Sequence, residues 1–290
     1  MKRNFGILAV LGLALLFGGC IETNTLIRVN KDGSGTVSET VKMNRMVYGM
    51  ISGMAGSMKE AFNAEGEEGA EADEPPKDEP PFSEEKAREQ AEKMGAGVEL
   101  RSYEDIKDNA SIGYVAAYSF DNINELRVNQ NPGAAMPSMD GESEGEEGED
   151  EEFVLFSFTP GSPARLEITP PQGEEEEEEQ MEVETEDGDG EENADEGMGG
   201  FEQMKELFRG MRMRIALAFE GSIEETNASY VDGNTVTLID MDFDTILDNP
   251  DALKQLEASE KMSPAEAKEV LHGIPGIKFD TAEHIVVTFD

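Results

Sequence analysis

Only a few residues in this chain have the side-chain chemistry for a reaction, and they do not sit in reactive patterns. There are two histidines in 290 residues. His272 stands at the end of an expected helix, where a cation is favoured by the helix dipole, so it reads as a dipole partner. His284 opens an expected strand. No His-Cys metal spacing, nucleophile elbow or phosphate loop is present. The run Asp187-Gly188-Asp189-Gly190-Glu191 offers closely spaced carboxylates to a hard cation, but the glycine at the sixth position and the flanking helices of an EF-hand are missing. The expectation is a non-enzymatic protein with no catalytic residue, no cofactor and no defined metal site.

Two groupings suit binding better. Met43, Met46, Met50, Met54 and Met58 recur at spacings of three and four, with Val47, Ile51 and Phe62 on the same side. Methionine adapts to irregular apolar partners, so Met46, Met50, Met54 and Met58 are candidate ligand-binding residues on a helix from Asn44 to Asn63. Gly49, Gly53 and Gly56 weaken that helix by up to about 1 kcal/mol each relative to alanine. The plainer reading is a helix packed on a sheet. Lys205, Arg209, Arg212 and Arg214 form a basic cluster in an acidic protein. Its simple role is pairing with nearby acid, and its sharper one is meeting an anionic headgroup, with Arg209 and Arg212 as candidates.

Composition limits the partners. With 65 acidic against 23 basic residues the formal net charge is −42, which excludes a general nucleic-acid binder because phosphate neutralisation needs a basic surface. The single cysteine rules out an intramolecular disulfide and a cysteine-based zinc site. That cysteine is Cys20, and it follows Lys2 and Arg3, an apolar run from Phe5 to Phe17, and the small pair Gly18-Gly19. The run has the length of a signal-peptide core and falls short of the ~20 residues that span a bilayer.

The segment Leu16-Phe17-Gly18-Gly19-Cys20 resembles the bacterial lipoprotein signal. That family commonly has leucine three residues before the cysteine; here Phe17 holds that place and Leu16 the one before it. The resemblance implies removal of residues 1–19, a diacylglyceryl group on the Cys20 sulfur and acylation of the new N-terminus (palmitate among its chains). Two or more acyl chains anchor stably where one does not. The implied location is the bacterial cell membrane, lipid-anchored. With Ile21 rather than aspartate after the cysteine, it would be the periplasmic side of the outer membrane where the organism has two membranes.

These sites need a scaffold, and the rest of the chain predicts one. Residues 64–81, 130–152 and 172–199 are acidic, glycine-containing and without apolar period, so they read as disordered inserts. Between them lie strand signals. Thr25 to Lys31 and Thr36 to Met43 flank Asp32-Gly33-Ser34-Gly35, a hairpin turn. Val98 to Tyr103 pairs with the alternating Ile112, Tyr114, Ala116, Tyr118 and Phe120 across a turn at Asp105 to Asn109. Phe153 to Phe158 reads as a central strand with both faces buried. Met213, Ile215, Leu217 and Phe219 alternate. Ser222 to Val231 and Thr235 to Asp240 form a second hairpin about Asp232-Gly233-Asn234, and Ile285, Val287 and Phe289 close the chain. Helices are expected at Ser83 to Met94, Phe201 to Arg209, Ala252 to Ser259, and from Ser263 to a left-handed cap at Gly273. The fold class is α+β: a mostly antiparallel sheet with a few helices and long acidic inserts, forming a single domain over 20–290.

Several of these pieces resemble the LppM-type envelope lipoproteins: the Asp32-Gly33-Ser34 turn, Phe120-Asp121-Asn122, Gly221-Ser222-Ile223, and Asn227 through Val236. That resemblance implies an α+β envelope domain with lipid-ligand binding and transfers no catalytic residue. The expected partners are the membrane through the anchor and a lipid or another envelope protein. The alternative function is an acidic cation-binding or salt-adapted surface protein whose inserts carry the activity.

Overall fold

The computed structural model describes residues 21–49, 82–130, 153–171, 208–259 and 270–290. The three acidic inserts, apart from Gln130, fall outside them, as do Cys20, Lys205, Met50, Met54, Met58 and most of the expected helix 263–273. The described chain is α+β and mostly antiparallel, as its alternating apolar pattern predicts.

The first hairpin pairs β1 (Ile21–Val29) with β2 (Gly35–Asn44) in unbroken register from Ile21 opposite Met43 to Val29 opposite Gly35. Its turn works through Asp32, whose carboxylate accepts from the Ser34 amide at 3.0 Å and the Ser34 hydroxyl at 2.6 Å. Those bonds hold the Asp32 carboxyl below its usual range. Gly33 takes φ +84°, and a Cβ there would meet the Phe158 ring at 2.6 Å, so the position requires glycine twice over.

Beyond β2, residues 45–49 are helical, with the Asn44 side chain accepting from the Met46 amide at 2.8 Å. This is the opening of the expected methionine helix; the remainder lies outside the described residues. Helix α1 (Glu84–Met94) starts where expected, with Ser83 as its cap accepting from the Lys86 amide. It buries Ala87, Ala91 and Met94.

The next hairpin is longer than its sequence suggests. β3 (Glu99–Lys107) continues four residues past Tyr103 before turning into β4 (Ser111–Phe120). The turn shortens because the Asp108 carboxylate accepts from both the Ala110 and Ser111 amides, at 2.7 and 2.6 Å. Residues Asp105 to Lys107 are thereby free to pair. A 3-10 turn (Ile123–Glu125), capped by Asn122, and the two-residue strand β5 (Val128–Asn129) follow.

The eight-stranded sheet runs β10-β11-β8-β1-β2-β4-β3, with β12 added beside β11; the second sheet runs β5-β6-β7-β13-β9. Here β6 is Phe153–Thr159, β7 Ala164–Thr169, β8 Arg212–Phe219, β9 Ile223–Thr226, β10 Val231–Asp232, β11 Thr235–Asp242, β12 Ile277–Phe279 and β13 Ile285–Phe289. The sheets share one core, in which the Phe289 ring lies 4.8 Å from Phe219 and 6.4 Å from Phe158.

Four expectations are corrected. Phe153 to Phe158 is not doubly buried: β6 has only the two-residue β5 on one side, and Leu155 is 49% exposed. The second hairpin does not run from Ser222. Its first arm splits, so that β9 leaves to pair with β13 in the other sheet and only β10 pairs with β11. Asn227 makes the departure possible, bonding the His284 carbonyl and the Val286 amide with its side chain at 2.9 and 2.7 Å. Gly273 is not left-handed; the positive φ falls at Gly276 (+91°), where the backbone closes on the Asp242 carbonyl. The helix expected from Ala252 begins earlier: α2 (Phe243–Leu247) is followed by α3 (Pro250–Ser259), with Asn249 accepting from the Asp251 and Ala252 amides and proline in the first turn.

Among the described strands one pair is parallel. β1 and β8 run together from Glu22 opposite Arg212 to Val29 opposite Phe219. Parallel neighbours require a long crossover, and here everything from β2 to residue 211 supplies it. The consequence is positional, because the starts of β1 and β8 lie side by side at one end of the sheet.

Candidate functional site

That end of the sheet collects the charged candidates. Asp240 on β11 is 9% exposed. Its Oδ1 accepts from Arg212 Nε at 3.3 Å and Nη2 at 3.2 Å, and its Oδ2 accepts from Nη2 at 3.3 Å with Lys278 Nζ at 3.9 Å. A cleft of about 300 Å³ opens beside them, lined by Arg212, Asp240, Asp242, Thr245 and the loop Ile274-Pro275-Gly276 into β12. Both acids in it have work already. Asp240 is held by the two cations, and Asp242 caps α2 by accepting from the Thr245 amide at 3.2 Å. The cleft therefore has balanced charge and an apolar floor, from Ile274 and Ile277 of the small cluster under α2 and α3.

The expected candidates do not converge into one pocket among the described residues. Arg212 is in the cleft, while Arg209 pairs with Asp248 at 3.5 Å on the surface above α2. Arg214, outward on β8, is half-buried with its Nε unbonded. Met46 is 74% exposed, whereas Val47 beside it is buried. His272 Nδ1 lies 3.0 Å from the Tyr230 hydroxyl and His284 Nδ1 lies 3.2 Å from the Thr169 hydroxyl, so each serves a neighbouring side chain at the edge of the fold.

Sequence reasoning missed a second cluster. Glu39 sits in mid-strand on the core face of β2, opposite Thr25 on β1 and Ala116 on β4. It is 7% exposed, with the Tyr118 hydroxyl donating to Oε2 at 3.4 Å. Burial raises its carboxyl above the ordinary range, only partly countered by bonds from Tyr114 and Tyr118. The same burial, with Glu39 nearby, pushes the Tyr114 and Tyr118 phenols upward, and Tyr103 stacks on Tyr114 at 5.7 Å. The signal was present in the alternation Val37-Ser38-Glu39-Thr40-Val41, which puts a carboxylate in the apolar phase. The cleft at Arg212 does not include this group.

No protein-family model and no curated protein matches the chain. Among solved structures, it is similar to the folded domain of LppM from Mycobacterium tuberculosis, determined by NMR. The identity is 10%, the TM-score 0.28, and the alignment covers 76% of this chain and 81% of that one.

Proposed function

We propose that this chain is a lipid-anchored, non-enzymatic protein of the bacterial envelope, held to its membrane through Cys20 and binding an apolar or lipid ligand. The observation that carries the reading is the junction between signal and fold. The basic-apolar-small pattern of residues 1–19 ends on the chain's only cysteine, and the first strand begins at the next residue, Ile21. A thiol in that place has no disulfide partner and no linker to occupy. The spacing of Met46, Met50, Met54 and Met58 in the sequence and the cleft at Arg212 support a ligand with an apolar body and a charged head.

Mass spectrometry of the full-length gene product purified from bacterial membranes tests the anchor. The expected mass is that of residues 20–290 plus acyl groups, and Cys20→Ser should leave an unprocessed chain with the mass of residues 1–290 and no acyl groups. A mature protein with an unmodified Cys20 thiol would overturn the assignment. Native spectra of the same preparation read co-purified lipid, and a ligand-free protein would remove the binding half.

A further inference from the structure

We infer that the end of the large sheet around the start of β1 is a membrane-contacting rim, which seats Arg45-Met46 on one side of the anchor and Phe208-Arg209 on the other in the headgroup layer of the bilayer that holds Cys20. The inference rests on the anchor reading above and adds an orientation to it.

The register dictates the arrangement. Ile21 faces Met43 on β2, and Glu22 faces Arg212 on β8. The two strands flanking β1 thus reach their ends beside it, and the chain continues from one into Arg45-Met46 and arrives at the other from Phe208-Arg209. Adjacent strands are about 4.8 Å apart and each residue spans at most about 3.6 Å. A lipidated residue directly before Ile21 therefore keeps both flanks within on the order of 10 Å of the acyl chains. The headgroup region of one leaflet is itself about 5–8 Å deep. So short a tether holds the rim at the headgroup layer or just above it.

The residues suit that place. Met46, at 74% exposed, is the most exposed large hydrophobe among the described residues. Phe208 stacks on Phe243 at 5.7 Å, giving the other flank an aromatic pair. Arg45, whose Nε donates to the Asp108 carbonyl, brings a cation to this edge of a protein of net charge −42, while Arg209 and Arg212 are ion-paired with Asp248 and Asp240. Of the rim carboxylates, Asp240 and Asp248 are paired with Arg212 and Arg209, Asp108, Asp242 and Asp244 accept from the backbone amides of Ala110 and Ser111, of Thr245 and of Gly210, and Glu22 lies opposite Arg212 on the neighbouring strand. Cations and an apolar side chain at a membrane surface gain from anionic phosphate and from partial burial.

The lone native cysteine makes the test clean. In the lipidated full-length protein, Met46→Cys supplies the only free thiol, and Val231→Cys supplies one for comparison. Val231 is 44% exposed and pairs with Val236, which lies opposite Leu217, toward the far end of the sheet. Each is labelled with an environment-sensitive fluorophore and reconstituted in vesicles of three parts phosphatidylcholine to one part phosphatidylglycerol, with nitroxide at the lipid headgroup. Quenching at position 46 is expected to exceed that at 231 by at least threefold, and Arg45→Gln should reduce it about twofold. Protein that floats with the vesicles yet shows equal quenching at both positions overturns the rim alone. A blue-shifted, unquenched label at 46 would mean that protein covers the rim, and overturns it too. Protein that does not float overturns the anchor, and the rim with it.

Discussion

Glu39→Gln should make this protein more stable at neutral pH, and the gain should vanish as the solution is acidified. Glu39 lies between Thr25 and Ala116 with 7% of its surface exposed, and the bond that it accepts from the Tyr118 hydroxyl is long at 3.4 Å. Such a bond offsets little of the cost of burying a charge. The folded carboxyl is raised above its ordinary value of 4.5. In the interval between the unfolded and folded pKa the native state therefore binds more protons than the unfolded one, and stability falls as pH rises. The favourable protonated form is fully present below the unfolded pKa and lost above the folded one. Glutamine keeps the shape and one acceptor while removing the buried charge, so a gain of about 1–3 kcal/mol is expected at pH 8, the typical cost of a buried polar group left short of hydrogen bonds. Urea unfolding followed by circular dichroism at pH 5, 6.5 and 8 measures it, staying above the isoelectric point near 4.1. The wild type and the variant share every other acid, so their difference isolates this one. A difference that is constant with pH, or one that grows toward pH 5, would refute the argument.

Phe289→Ala, one residue from the end of the chain, should cost about 3–5 kcal/mol because the ring is fully buried between Phe219 and Phe158; thermal unfolding checks it. Ser83→Ala should lose about 1 kcal/mol by removing the cap on the Lys86 amide, seen as a lower urea midpoint with an unchanged slope. Gly35→Ala should cost about 1–3 kcal/mol, since a Cβ would fall 2.5 Å from the Phe120 ring and closer still to the Arg28 carbonyl; solubility and melting temperature report it.

The local elements were legible in the chain because their causes are local. Alternation in Ile112 to Phe120 and Met213 to Phe219 sets which face is buried, Asp32-Gly33-Ser34 closes a turn by its own hydrogen bonds, and Ser83 caps the helix that follows it. The α+β class follows from those pieces. Pairing between distant strands is a different matter. Nothing within Ile223 to Asp232 says that its first four residues join β13 while its last two stay with β11, because the choice is made by partners some 60 residues away. The same holds for Phe153 to Phe158, whose composition suits two buried faces although its neighbours cover only one. The candidate site divides in the same way. Cys20, the methionine spacing and the basic cluster are visible as residue types. That Arg212 is spent on Asp240, that Glu39 is enclosed by tyrosines, and that the starts of β1 and β8 lie side by side were decided by tertiary structure, since burial and register are properties of pairs that sequence order alone does not contain.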